Sequence, residues 1–462
     1  MEQYSFQYDY TECMVMKMPM AFPEKDGHSS HVINTFADAL EIIRMVDAVT
    51  QGITKIIYLV GWQYLGHDDK YPDFFEVNEA LKRPQDPTAH ESMLWLMREA
   101  KKYHTVVSVH INFNDAYDNA PSFDRYLKAG ALIRNKHGQP DPIERYNGRK
   151  CYKVSFKEEW ESGLFQERFD RLLDLLPLQE ARTVHVDNFQ CYHNYQPDIT
   201  IREMQEYRRK MIEYVTGKGI DITSEFTYRE DESLPNRMPF GLSREHHPAA
   251  PLDTLGLIPV SWWCTRMRRE EYVGISPKLY GGGMYKDKRY ANYLYGNMHG
   301  EEIFQDYHKP DGNWLSRFVR DFATVQVPYR YLCRHERLAI EGHGNRERCI
   351  LSDGIISYNR DRRITVNGET VKEGDNLFLP FDAQETQWIA YSAKGDSRAW
   401  RFPVGKSAAI YRVEPTGNRY LERRENLNGS IFLTLAPGEM LLIEAVEPEK
   451  TRIHSEDGGV SE

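Results

Sequence analysis

The feature that most constrains this chain is a repeated unit: a short apolar strand followed by an amphipathic helix. Strand-like runs occur at 13–18 (CMVMKM), 55–61 (KIIYLVG), 105–112 (TVVSVHIN), 183–189 (TVHVDNF), 221–227 (DITSEFT) and 256–263 (GLIPVSWW). Helical periodicity fills the intervals at 35–51, 90–103, 158–178 and 198–219. Asn34 or Thr35 is placed to cap the first of these helices, and Gly219 to stop the last. A strand that reads as an unbroken apolar run is one buried on both faces. Alternating β and α units imply a parallel sheet with helical crossovers. More than five units, with no glycine-rich phosphate loop after the first strand, favour a (β/α)8 barrel over a doubly wound sheet.

The pattern changes beyond a helix near 312–333. From about 336 onward, short strands are punctuated by turns at Asn367–Gly368, Glu373–Gly374, Lys394–Gly395 and Pro437–Gly438. This is hairpin grammar, and it predicts an antiparallel β-sandwich. The expected organisation is therefore a barrel over residues 1–335, a sandwich over 336–447 and a polar, disordered tail over 448–462.

Composition removes several function classes. The 462 residues carry 59 Lys and Arg against 69 Asp and Glu, a formal net charge of −10. A chain this acidic, with no dense basic run, is a poor match for nucleic acid. No apolar window is long enough to span a membrane. The first residues show neither a basic nor an apolar signal region, which points to a cytoplasmic protein or a fragment of a secreted one. The six cysteines are scattered without a CxxC pair, as buried free thiols would be. Twenty-nine Tyr, 20 Phe and 8 Trp are enough to furnish stacking surfaces for sugar rings as well as a core.

In a barrel, chemistry sits at the C-terminal ends of the strands. Polar residues that close the apolar runs are His67 and Asp68 after the second, His110 and Asn112 on the third, His185 and Asp187 on the fourth, and Glu225 on the fifth. Trp262 and Trp263 close the sixth. Either carboxylate alone is better explained by an ion pair or a strand-end cap. Asp187 and Glu225 together are more informative. Neighbouring strands lie about 4.8 Å apart. Two carboxylates at adjacent tips would then approach the roughly 5–5.5 Å separation used in double-displacement glycoside hydrolysis. A metal reading of the histidines is weaker, because the first strand lacks the HxH pair that barrel metallohydrolases use. No metal or cofactor is expected. One of the two tryptophans must be core, because alternate strand residues face opposite sides.

Five segments taken in order, LVGWQYLGHD at 59–68, VSVHIN at 107–112, VHVDNF at 184–189, ITSEF at 222–226 and LYGGGMYKD at 279–287, resemble the catalytic core of glycoside hydrolase family 101, the endo-α-N-acetylgalactosaminidases. The resemblance runs over about residues 10–447. Family 129, which is exo-acting on the same sugar, is similar. The resemblance implies a retaining glycosidase that cleaves α-linked N-acetylgalactosamine O-glycans such as the core-1 disaccharide, with an exo-acting enzyme or a non-catalytic glycan-binding barrel as alternatives. It implies Asp187 as nucleophile and Glu225 as acid/base. His67, Asp68, His110, Asn112, Phe189, Trp262 and Trp263 would face the carbohydrate. Phe189 and Phe226 stand where the family carries tryptophan, which makes the sugar pocket the place where this chain departs from the family. Oligomeric state is not legible in the sequence.

Overall fold

The computed structural model describes residues 7–9, 12–142, 144–146, 148–187, 189–224, 257–259, 298–299, 301–335, 337–342, 346, 348–358, 360–426 and 428–448. Residues 449–462 of the expected tail, Glu225, Trp262, Trp263 and the 279–287 segment lie outside the described residues.

Among the described residues, the repeated units form a parallel sheet of seven strands: β1 (Met14–Pro19), β2 (Lys55–Val60), β3 (Thr105–Ile111), β4 (Thr183–Val186), β5 (Asp221–Ser224), β6 (Leu257–Pro259) and β7 (Met298–His299). Their order is β6-β5-β4-β3-β2-β1-β7. Neighbours in space are thus neighbours in the chain, except that β7 returns to the free side of β1. The molecule is an α/β protein, and closure of this sheet into a ring is not seen among the described residues.

Among the described residues, four helices cross over the sheet: α1 (Phe36–Val49), α2 (Ala89–Glu99), α3 (Leu164–Leu175) and α4 (Ile201–Thr216). Three of them open with reciprocal capping boxes, Thr35 with Asp38, Thr88 with Glu91 and Thr200 with Glu203. Each box satisfies two N–H groups that the first turn leaves unpaired. The long helix expected at 158–178 is broken. Residues Phe156–Glu161 form one piece, and Gly163, at φ 76°, turns the chain into α3. Only glycine adopts that left-handed backbone without strain.

The sheet is two-faced, and this positions the site. Met14, Met16, Met18, Ile57, Leu59, Val107, Val109, Ile111, Val184, Val186 and Ile222 join the helices in one apolar core. The alternate residues Lys17, Ser108, His110, Thr183, His185, Asp221 and Thr223 carry polar groups on the other face, and all are buried. Strand periodicity alone sorts them. Tyr58 on that inner face shares a hydrogen bond with Thr183 Oγ1 at 2.6 Å.

Between β3 and α3 the chain inserts a three-stranded antiparallel sheet of Asp115–Tyr117, Arg149–Lys153 and Glu144–Tyr146. The sequence pattern gave no expectation of it, because its strands are only 3 to 5 residues long.

Helices α5 (Trp314–Asp321) and α6 (Val327–Cys333), joined by a π-helical turn, lead into the C-terminal part. There a ten-stranded antiparallel sheet is covered by a two-stranded ribbon, Asp396–Arg401 with Ser430–Leu435. Trp388 and Ala390 face the ribbon, where they join Phe378, Trp400 and Phe402. Ile389 and Tyr391 face back into the main core. This is the antiparallel, sandwich-like architecture expected. The expected division near residue 335 falls between α6 and the first C-terminal strand, yet the apolar core continues across it. Polar groups also span the junction. Glu12 takes hydrogen bonds from Arg330 at 2.7 Å and Arg334 at 2.9 Å, and Arg334 donates to the Phe381 carbonyl at 2.9 Å.

Among the described residues, no helix is long and apolar enough to cross a membrane.

Candidate active site

The loop after β2 is shaped by close backbone packing. A Cβ on Gly61 would stand 2.0 Å from the Ala21 carbonyl oxygen, and one on Gly66 2.5 Å from the same atom. Only glycine permits that approach. The loop is pinned there by the His67 N–H, which donates to the Ala21 carbonyl at 2.9 Å. Tyr64, Asp68 and Lys70 also carry positive φ, at 46°, 58° and 62°. Non-glycine residues in that region store strain, and such clusters mark functional loops.

The loop delivers His67 and Asp68 onto Tyr71. The Asp68 N–H donates to the Tyr71 hydroxyl at 3.3 Å, and that hydroxyl lies 3.2 Å from His67 Nδ1. His67 Nε2 faces Asp68 Oδ2 at 3.5 Å. The Tyr71 hydroxyl thus holds the His67 ring from one side while the Asp68 carboxylate faces its other nitrogen. Burial pushes the Asp68 carboxyl above its ordinary range; His67 and Tyr117 oppose the shift and Asp115 adds to it. Burial, with Asp68, Asp187 and Asp115 nearby, keeps Tyr71 a neutral phenol.

Behind Asp68 the inserted sheet brings in a cation. Lys153 Nζ donates to Asp115 Oδ1 at 2.6 Å. Asn112 is fully enclosed, and its amide is spent on this corner. Its Oδ1 accepts from the N–H groups of Asn114 at 2.7 Å and Asp115 at 2.9 Å, and its Nδ2 donates to Asp115 Oδ2 at 2.9 Å. Arg168 ties the corner to α3 by donating to the Asn112 and Phe113 carbonyls, both at 3.3 Å, while paired with the buried Glu159 at 2.7 Å.

On the inner face, His110 and His185 are register partners on β3 and β4. Their rings stand 5.3 Å apart, with His67 5.2 Å beyond His110 and Tyr58 5.1 Å beyond His185. Thr223 Oγ1 lies 2.9 Å from His185 Nδ1 and 3.4 Å from the Val184 carbonyl, which anchors the His185 ring to β5. Asp187 follows directly, one quarter of its side chain exposed, with Oδ1 3.8 Å from His110 Nε2. Its N–H donates to the Ile111 carbonyl at 2.9 Å, which fixes the tip of β4 against β3. On the far side, Val186 pairs with Ser224 on β5.

The structure thus brings His67, Asp68, His110 and Asp187 together, with Asn112 behind them in the wall. Phe189 requires a correction. Its ring is 1% exposed and packs between Phe113 at 5.3 Å and Phe156 at 5.5 Å. It is core and cannot line a sugar pocket, because the chain after Asp187 turns its side chain toward the helices. Tyr71, Tyr117, Asp115, Lys153 and Lys17 were not singled out by the sequence pattern. Only Lys17, a cation inside an apolar strand, carries a signal visible in the sequence. Among the described residues, no three His, Cys, Asp or Glu side chains converge as metal ligands would.

The site therefore belongs to a class of α/β proteins that gather carboxylates and histidines at the C-terminal ends of parallel strands. The sequence matches the family model of the endo-alpha-N-acetylgalactosaminidases, glycoside hydrolase 101, over residues 5–236, half of the chain. The chain belongs to this family. Solved structures similar to it include the ligand-free alpha-N-acetylgalactosaminidase NagBb from Bifidobacterium bifidum, at 15% identity and a TM-score of 0.49 over 77% of this chain and 57% of that one. The GalNAc complex of NagBb gives 16% identity and a TM-score of 0.48 over the same shares. An alpha-amylase from Geobacillus thermoleovorans in complex with acarbose gives 11% identity and a TM-score of 0.46 over 96% of this chain and 100% of that one. The chain spans little more than half the length of NagBb. No curated protein matches it.

Proposed function

We propose that this chain is a retaining glycoside hydrolase that cleaves α-linked N-acetylgalactosamine from O-glycans, with the core-1 disaccharide as the released unit. The seven parallel strands would be the greater part of a (β/α)8 barrel occupying residues 1–335, with the C-terminal sandwich over 336–447. The return of β7 to β1 and the burial of the sheet's polar inner face support closure.

The observation that carries the reading is the register of β4 and β5. Val186 stands opposite Ser224, and Asp187 and Glu225 are the next residues along. In the first step an Asp187 carboxylate oxygen attacks the anomeric carbon. The bond to the leaving oxygen breaks with its electron pair, and Glu225 supplies the proton. In the second step Glu225 takes a proton from water, whose oxygen attacks the same carbon and releases Asp187 as carboxylate. His67 and Asp68 would bind hydroxyls or the acetamido group.

The test is a hydrolysis screen followed by NMR of the products. Substrates are nitrophenyl α-N-acetylgalactosaminide, the corresponding core-1 disaccharide glycoside, and nitrophenyl α-galactoside. The disaccharide released first as its α-anomer is the expected result. Release of the monosaccharide alone means an exo-acting enzyme. A β-anomer as first product overturns retention. No turnover, together with glycan binding by calorimetry, means a binding protein.

A further inference from the structure

We propose that His110 positions the nucleophile, holding Asp187 with an imidazole N–H, and that it is not a ligand of the sugar. The inference rests on the reading of Asp187 as nucleophile. Four observations support it.

His110 is enclosed: its side chain has no exposed surface, whereas Asp187 keeps a quarter of its own. A sugar entering from solvent reaches the carboxylate before the imidazole. Neither ring nitrogen of His110 makes a hydrogen bond among the described residues. A sealed N–H without an acceptor is costly, and Asp187 Oδ1 lies 3.8 Å from Nε2. Closing that gap to about 2.8 Å, the length of a charge-assisted hydrogen bond, takes about 1 Å of carboxylate movement. The ring plane is fixed by His67 at 5.2 Å on one side and His185 at 5.3 Å on the other. Such a ring is a preorganised donor whose orientation costs nothing at the moment of reaction.

The groups facing His110 are Lys17 from β1, His67 from the loop after β2, and His185 and Asp187 at β4. Burial first, then the positive or potentially positive Lys17, His67 and His185, hold the imidazole well below its ordinary range, so it stays neutral. Neutrality matters to the role. A full cation beside Asp187 would stabilise the free carboxylate too strongly and blunt its attack. A neutral N–H orients one oxygen, leaves the other to bond carbon, and favours carboxylate departure in the second step.

The test uses the full chain with nitrophenyl α-N-acetylgalactosaminide. His110→Phe keeps a ring and removes the donor. The expected result is kcat lower by about 10²-fold, KM within about twofold, and the acidic limb of kcat/KM moved to higher pH. His110→Gln, which restores an N–H, recovers most of kcat. A raised KM with unchanged kcat makes His110 a sugar ligand and overturns the proposal. So does a Phe variant more active than the Gln variant, which marks a packing role. Should neither variant fold, nitrogen-15 NMR of the wild-type histidines decides. A neutral Nε2–H tautomer whose signal moves in Asp187→Asn supports the proposal; an Nδ1–H tautomer or a cation overturns it. Azide rescue of Asp187→Gly separates this question from the function itself. Formation of the β-glycosyl azide upholds Asp187 as nucleophile, whatever the His110 variants do. Absence of rescue removes that reading and this one with it.

Discussion

Lys153 Nζ donates to Asp115 Oδ1 at 2.6 Å, and both side chains are almost wholly enclosed. The two residues are register partners on adjacent strands of the inserted sheet, and Asp115 also ties that sheet to the corner after β3 by accepting from Asn112 at 2.9 Å. Lys153→Met leaves a buried carboxylate without its cation, which typically costs about 3–5 kcal/mol. Adding Asp115→Asn in the same chain should restore much of the loss. Burial pulls the Lys153 amine down, but Asp115, Tyr192 and Cys151 outweigh it and hold the amine above its ordinary range. A raised lysine contributes stability that is complete below its unfolded value of about 10.4 and fades only as pH rises beyond it. Urea unfolding should therefore show the same penalty for Lys153→Met at pH 6 and at pH 9.

Gly61 and Gly163 share nearly the same φ, at 74° and 76°. They differ in surroundings, for an added Cβ meets the Ala21 carbonyl at 2.0 Å in the first case and nothing within 4 Å in the second. Gly163→Ala should cost only the conformational penalty, about 1 kcal/mol. Gly61→Ala should cost clearly more and displace the loop that carries His67 and Asp68, lowering kcat/KM by about 10²-fold. Thermal unfolding and kinetics on the two variants make the comparison.

The two carboxylates should fail differently. Asp187→Asn removes the nucleophile and should reduce turnover by about 10⁴-fold or more on every substrate. Glu225→Gln removes the proton donor, so it should spare nitrophenyl glycosides far more than natural glycans, whose leaving oxygens need protonation. Equal losses on both kinds of substrate would contradict the assignment. The acid/base variant should also yield the α-glycosyl azide when azide is added.

His110 has a consequence for acid stability that does not depend on catalysis. Burial, then Lys17, His67 and His185, depress its folded value well below the unfolded value of about 6.5. Below pH 6.5 the unfolded chain takes up a proton at this position and the folded chain does not. Stability is then lost as pH falls, by up to about 1.4 kcal/mol per pH unit for one proton. In His110→Gln, the slope of unfolding free energy against pH between 6.5 and 5 should be shallower by about one proton. An unchanged slope would mean that the imidazole charges within the fold.

Much of this architecture is local, and for that reason legible. Apolar runs and capped amphipathic helices declare the parallel sheet, and Thr35, Thr88 and Thr200 cap where a Thr precedes an acidic residue by three positions. The hairpin turns declare the C-terminal sheet in the same way. His67, Asp68, His110 and Asp187 are legible as polar residues closing apolar strands. Asn112 and Phe189 show the limit of that rule. Both follow a strand closely, but the direction of the next turn decides whether a side chain meets solvent, the corner or the core, and that direction depends on distant partners. Asn112 is drawn into the corner by Asp115 and its backbone, and Phe189 is captured by Phe113 and Phe156.

The sequence by itself determined the units and their order, because strand and helix periodicity are properties of a few consecutive residues. Only the tertiary structure decided that Lys153 reaches Asp115, that Tyr71 orients His67, and that His110 is sealed against Asp187. The first and last of these join residues tens of positions apart on different strands, and the second depends on how the loop after β2 folds back on itself. They are set by the twist and stagger of the sheet and by close backbone contacts such as Gly61 against Ala21, which no local pattern encodes.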